Sequence, residues 1–135
     1  MKNDLLIPSS GETAIDIATA SSLNVNNVYI GGDINLFTPS KEVDSNFLSF
    51  QINSIRKSEL AKLAQGSSVY HLYASALEDF KVILPSLQEQ KQIVHILSTV
   101  DNQIKIYEQE MEKYETLKKG LMQQLLTGKT RVEID

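Results

Sequence analysis

Residues 85–132 read PSLQEQKQIVHILSTVDNQIKIYEQEMEKYETLKKGLMQQLLTGKTRV, and their spacing decides the fold. Apolar side chains recur at Ile93, Leu97, Val100, Ile104, Tyr107, Met111 and Tyr114, in alternating steps of four and three. This heptad rhythm keeps one seam of a long helix turned toward a partner helix. After Tyr114 the apolar row takes an extra three-step to Leu117 and resumes at Leu121 and Leu125. Such a shift overwinds a coiled coil locally or marks a change of packing partner. Pro85 closes what precedes the helix, and Ser86 with Glu89 forms a capping-box pattern. Gly128 fits the C-terminal stop, with Lys118 and Lys119 in the closing turns, where cations suit the helix dipole. The spacing predicts a helix over residues 86–127 and a tail over 128–135.

A helix of roughly 40 residues is about 60 Å long at about 1.5 Å per residue. The 85 residues in front of it are too few to cover that length. The seam therefore calls for another helix, in a second copy of the chain or in a different subunit. The competing expectation is a helix folded back along its own domain.

The whole chain of 135 residues suffices for one modest domain plus this helix. Hydrophobic content of 41% and charged content of 22% are ordinary for a soluble protein. No run approaches the length of a membrane span, and MKNDLLIPSSG lacks a signal-peptide layout, so a cytoplasmic protein without membrane contact is expected. The absence of cysteine excludes disulfides, thiolate zinc sites and a cysteine nucleophile. His71 and His95 are too far apart in sequence to suggest a metal site by themselves. The net charge of −4 opposes a generic nucleic-acid binder. Any DNA contact must rest on a local patch, and Arg56, Lys57 and Lys62 are the best candidates. A solvated charged face that includes Glu59 explains the same residues equally well.

From the front, Asp4–Pro8 reads as a buried strand ended by proline. Ser9 to Thr13 is a polar turn; its hydroxyls lack the G-x-S-x-G setting and the neighbouring base of a nucleophile. Val25–Val28 and Tyr29–Ile30, followed by Gly31-Gly32-Asp33 and Ile34–Phe37, read as strand, turn and strand. The GGD triplet is not followed by the Glu-Phe of a nucleotide cyclase, and no phosphate-loop spacing occurs. Asp44 or Ser45 caps a helix in which Phe47, Leu48, Ile52 and Ile55 share a face. A second short helix near Ser58–Gln65 turns Leu60, Leu63 and Ala64 inward. After the Gly66-Ser67-Ser68 loop come Val69–Tyr73, a helical turn over Ser75–Asp79 and a final strand, Phe80–Leu84. The expected class is α+β: a small domain of short mixed elements over residues 1–85, then one long coiled-coil-forming helix.

The segments IPSSGETAIDIATA, IGGDINLF, LAQGSSVYHLYASALEDFKVILPSLQEQKQIVHIL and LKKGLMQQLLTGKTRV together resemble the specificity subunit of type I restriction-modification systems. The resemblance covers nearly the whole chain. It implies a target-recognition domain followed by a spacer helix, with paired helices packed antiparallel as a ruler between two domains. It also implies double-stranded DNA and methyltransferase subunits as partners. A family recognition domain carries considerably more chain before the IPSSG stretch, so a partial domain and a half-subunit are expected. The residues agree in one respect: no S-adenosylmethionine loop, methyltransferase tetrapeptide or nuclease carboxylate cluster is visible. The expectation is a chain with no catalytic residues, no metal and no cofactor of its own.

Within that frame, two copies pair through Ile93, Leu97, Val100, Ile104, Tyr107, Met111, Tyr114, Leu117, Leu121 and Leu125. Two-fold pairing implies a palindromic, bipartite DNA target. Parallel and antiparallel pairing remain open, the antiparallel one offering the acidic cluster Glu108–Glu115 to basic ends. Arg56, Lys57 and Lys62 are assigned to phosphates, and Gln65, Ser67 and Ser68 lie close by in sequence. Gln65 is the candidate base reader, because a carboxamide pairs bidentately with adenine. Tyr70, His71 and Tyr73 border this stretch, with core packing the alternative role for the tyrosines. A different class of function is an interaction module that dimerises or binds methyltransferase subunits without DNA specificity of its own.

Overall fold

A computed structural model describes residues 3–133. They group into two compact units, one running to His95 and the other starting at Ile96. Each is treated on its own terms.

The front unit is built on β1, Asp4–Pro8. Leu5 and Ile7 are buried while Leu6 and Pro8 are partly exposed, the period-two pattern of a strand with one face on a core. The strand β2 (Ser10–Gly11) and the helical turn α1 (Ala14–Ile17) follow, Thr13 capping α1 by accepting from the Asp16 amide. Next come β3 (Ser21–Leu23) and β4 (Ile34–Phe37), which flank β1 antiparallel, with Leu5 opposite both Ser22 and Phe37. Helix α2 (Ser45–Asn53) starts at Asp44, whose carboxylate accepts from the Asn46 and Phe47 amides. The short helix α3 (Lys57–Ala61) leads to β5 (Gln65–Gly66) and β6 (Tyr70–His71). These make a second small antiparallel sheet in the order β2-β6-β5. The turn α4 (Ala74–Leu77) precedes α5 (Leu87–Leu125), a single helix of 39 residues. Leu5, Ile7, Ile17, Leu48, Ile52, Leu60 and Leu72 form the core, each contributing about 1.5–3 kcal/mol by leaving water.

The α+β class and the long helix are as expected, but three local readings fail. Residues 24–33 form no strand; they are mostly exposed, and β4 pairs with β1 instead of with a hairpin partner at Val25–Val28. The asparagines there supply turns rather than ladder, Asn27 taking a left-handed φ of 58°. Ile55 lies beyond the end of α2 and is 66% exposed, so it leaves the face shared by Phe47, Leu48 and Ile52. Phe80–Leu84 is not a strand either. The Gln51 carboxamide takes the place of a neighbouring strand, accepting from the Ile83 amide and donating to the Ile83 carbonyl, both at 2.9 Å.

Gln51 belongs to a wider pattern. Strands of two to five residues make few ladder bonds, so asparagine and glutamine side chains join distant backbone segments. Asn53 bonds both the amide and the carbonyl of Ala20, at 2.7 and 2.8 Å. Asn35 donates to Leu72 O at 2.8 Å, across to β6's end. Gln90 in the first turns of α5 is buried; it accepts from the Asp44 amide and donates to the carbonyls of Glu42 and Pro85. A carboxamide carries donor and acceptor together, which is what an unpaired peptide group needs.

Candidate nucleic-acid interface and helix seam

The segment from Arg56 to Tyr73 holds every residue assigned to DNA. Leu60 is fully buried and fixes the inward face of α3. One turn earlier on that face, Arg56 and Lys57 are only partly exposed. The Arg56 guanidinium bonds the Glu59 carboxylate at 2.6 Å, so its charge is already engaged. Lys62, at the C-cap of α3, is exposed. Gln65, Ser67 and Ser68 are exposed as well, Gln65 on the outer strand of the β2-β6-β5 sheet. The turn between β5 and β6 depends on Gly66, at φ 140°: a Cβ there would sit 2.0 Å from the Val69 carbonyl oxygen. That turn carries both serines. Beside it His71 and Tyr73 stack, their ring centroids 6.0 Å apart and their planes 22° from parallel, and both side chains are exposed. Tyr70 packs against the core instead. The structure thus sets Lys62, Gln65, Ser67 and Ser68 in the open within one short stretch, and ties Arg56 to its own helix. Among the described residues no group of three or more His, Cys, Asp or Glu side chains could hold a metal ion.

On α5, Ser86 accepts from the Glu89 amide at 3.3 Å and starts the helix. At the other end Gly128, at φ 73°, donates to Leu125 O, and Thr130 N closes on Gln124 O. Lys118 and Lys119 stop short of the last turn, which contains no basic residue, so hydrogen bonds to the final carbonyls end the helix rather than charge. Along the seam Leu97, Val100, Ile104, Tyr107, Met111, Tyr114, Leu117, Leu121 and Leu125 are all exposed; Ile93 alone is partly covered. Near the C-terminal end they border an apolar groove lined by Tyr114, Leu117, Lys118, Leu121, Met122, Leu125 and Leu126.

That groove takes in Lys118 as well as Leu117. The helix runs through without a break, and Lys118 sits four residues after Tyr114 and three before Leu121. An unbroken heptad can therefore also be drawn through Lys118, beside the row that passes through Leu117. A search for apolar residues alone passes over a lysine in this position, although its four-carbon stem packs like an aliphatic side chain.

The family model for the type I restriction modification DNA specificity domain matches residues 2–116. The chain belongs to that family. The match to the specificity domain takes in the front unit and α5 as far as Thr116. Two relatives from Methanocaldococcus jannaschii agree. The specificity subunit of the type I restriction enzyme MjaVIII is 39% identical over 95 residues, and that of MjaX is 38% identical over 94. Each alignment covers 70% of this chain and 22% of the relative, so this specificity domain spans under a quarter of their length. No helix among its described residues is long and apolar enough to cross a membrane.

Proposed function

We propose that this chain is the DNA-reading component of a type I restriction-modification complex. It does no chemistry itself, works in the cytoplasm and positions methyltransferase subunits, with the restriction subunits, on a bipartite DNA site. The observation that carries this reading is the specificity-domain match, which joins the front unit and the seam-bearing helix in one family unit. In this reading Lys62 contacts phosphate and Gln65 reads a base edge, with Ser67 and Ser68 as supporting polar groups. Lys57 contributes a phosphate contact, and Arg56 another once Glu59 gives it up. Two copies joined through α5 present two equivalent half-sites, and the target is palindromic.

The test compares DNA binding by the methyltransferase complex with and without this chain. Sequence-selective binding that appears only with the chain is the expected result. The Lys62→Ala variant should weaken binding to all sequences and reduce the salt slope by about one. Gln65→Ala should lose discrimination at a single base pair, about 1–3 kcal/mol. If the chain joins the complex but adds no selectivity, the reading fails.

A second reading has its own support. The seam is exposed and apolar along most of α5, while Arg56 is engaged by Glu59 and the chain carries a net charge of −4. An interaction module that dimerises or binds methyltransferase subunits without DNA specificity fits those features. Assembly without selective DNA binding is its signature.

A further inference from the structure

The seam reads the same in both directions. With Lys118 included, its steps from Ile93 to Leu125 alternate four and three without interruption, beginning and ending on four. A second copy laid antiparallel over the full seam therefore meets it position for position. In that register Leu97 faces Leu121, Ile104 faces Tyr114 and Val100 faces Lys118. Val100, the smallest apolar side chain of the seam, thus faces its longest member, which leaves room for the lysine stem. Asp101 follows Val100 on the flank beside which Lys118 lies, so the ammonium reaches a carboxylate at the edge of an apolar layer.

We propose that Lys118 and Asp101 of the second copy fix the register of antiparallel self-pairing through α5. The inference rests on the seam being a self-pairing surface; it does not depend on DNA reading. Charge complementarity within an apolar row favours the second copy as the occupant of the seam. A single lysine in a coiled-coil core lowers stability but selects among arrangements. Glu115, three residues earlier on the same helix, accompanies Lys118 in all of them, so the carboxylate supplied across the pair is what discriminates. In a parallel pair Lys118 faces its own copy, two ammonium groups in one layer. Sliding the antiparallel pair by one heptad sets Lys118 against Ile93 or Tyr107 and leaves seam residues at the helix ends uncovered. Full overlap pairs every layer and repeats the Lys118–Asp101 contact twice by symmetry. It also turns the acidic cluster Glu108–Glu115 toward itself rather than toward basic ends. Glu108 lies near its own copy and Asp101 near Glu115 of the second copy at the rim, with Lys118 between the last two, and salt screens these repulsions. The core pair is less screened than the rim, so the lysine decides the register.

The test uses the full-length chain, in which the absence of cysteine makes introduced thiols unambiguous. The variant carrying both Leu97→Cys and Leu121→Cys should form disulfide-linked dimers on oxidation, and Leu97→Cys alone should not. Crosslinking by Leu97→Cys alone would mean a parallel pair and overturn the proposal. Lys118→Glu and Asp101→Lys should each raise the dimer dissociation constant by about tenfold or more, and the double exchange should restore much of it. Circular dichroism checks that each variant keeps its helix. Single variants that weaken pairing without rescue by the double exchange would rule out the contact. A wild-type chain that is monomeric by light scattering would overturn self-pairing itself. A dimer that crosslinks as expected yet adds no DNA selectivity would remove the DNA-reading role and leave this inference standing.

Discussion

Gln51 shows how much single side chains carry in this fold. Its buried carboxamide holds both backbone groups of Ile83, and leucine at that position fits the space but leaves both groups without their partner. Gln51→Leu should destabilise the chain by about 1–3 kcal/mol, read as a lower urea midpoint. Gln51→Glu keeps the acceptor for the Ile83 amide but sets a carboxylate oxygen against the Ile83 carbonyl, so at neutral pH it should be no more stable than Gln51→Leu. At Gly66 the demand is steric. With φ at 140° and a Cβ 2.0 Å from the Val69 carbonyl, Gly66→Ala should cost roughly 3 kcal/mol and loosen the turn that carries Ser67 and Ser68. A Gly66→Ala protein with an unchanged melting temperature would show that the turn relaxes freely. These residues also mark where sequence reading stops. Pattern rules see Phe80–Leu84 as alternating and assign a strand, because nothing local reveals that a glutamine 32 residues away supplies the missing ladder. Arg56 is similar: composition gives a cation, and only the folded chain shows Glu59 already bound to it.

The elements divide into those that specify themselves and those that borrow. Helix α5 specifies itself through a serine cap, a heptad and a glycine stop; the cap, the stop and the rhythm as far as Tyr114 were legible in the sequence. The helix runs over Leu87–Leu125. The strand β1 was legible for a similar reason, since proline and an apolar run define it. The strands β2, β5 and β6 are two residues long and exist only because tertiary neighbours hold them, so no local signal announced them. The same contrast governs the seam. Its apolar residues are exposed on α5, so the variant carrying Leu97→Glu and Ile104→Glu should remain helical yet lose self-association. Light scattering should find a dimer for the wild type and a monomer for this variant. A variant that still dimerises would move the pairing surface away from the heptad seam.

At the level of the whole molecule, a net charge of −4 makes any DNA contact local and strongly salt-dependent. Arg56 adds little phosphate affinity while it is paired with Glu59. Glu59→Gln should therefore strengthen DNA binding by the assembled complex at low salt, by about 0.5–1 kcal/mol, and the gain should fade as salt rises. Fluorescence anisotropy across a salt series tests this; an effect independent of salt would exclude release of the arginine as its cause. The candidate DNA surface was legible in the sequence only as a list of residue types. Which of them face solvent was set by the burial of Leu60, and a one-dimensional charge count does not contain that information.

The three hydrogen bonds of Gln90 bear on the recombination of specificity proteins. Its amide group bonds to Asp44, Glu42 and Pro85, so the helix's opening turns complete the polar bonding of the front unit. A chimera joined at Pro85 would take its recognition half from one parent and this glutamine from another. Joined after His95, where the front unit closes, the graft would carry its own fastening with it. Chimeric proteins spliced at the later point should fold with parental stability, and those spliced at the proline should do so only when the incoming helix brings a glutamine to the same place.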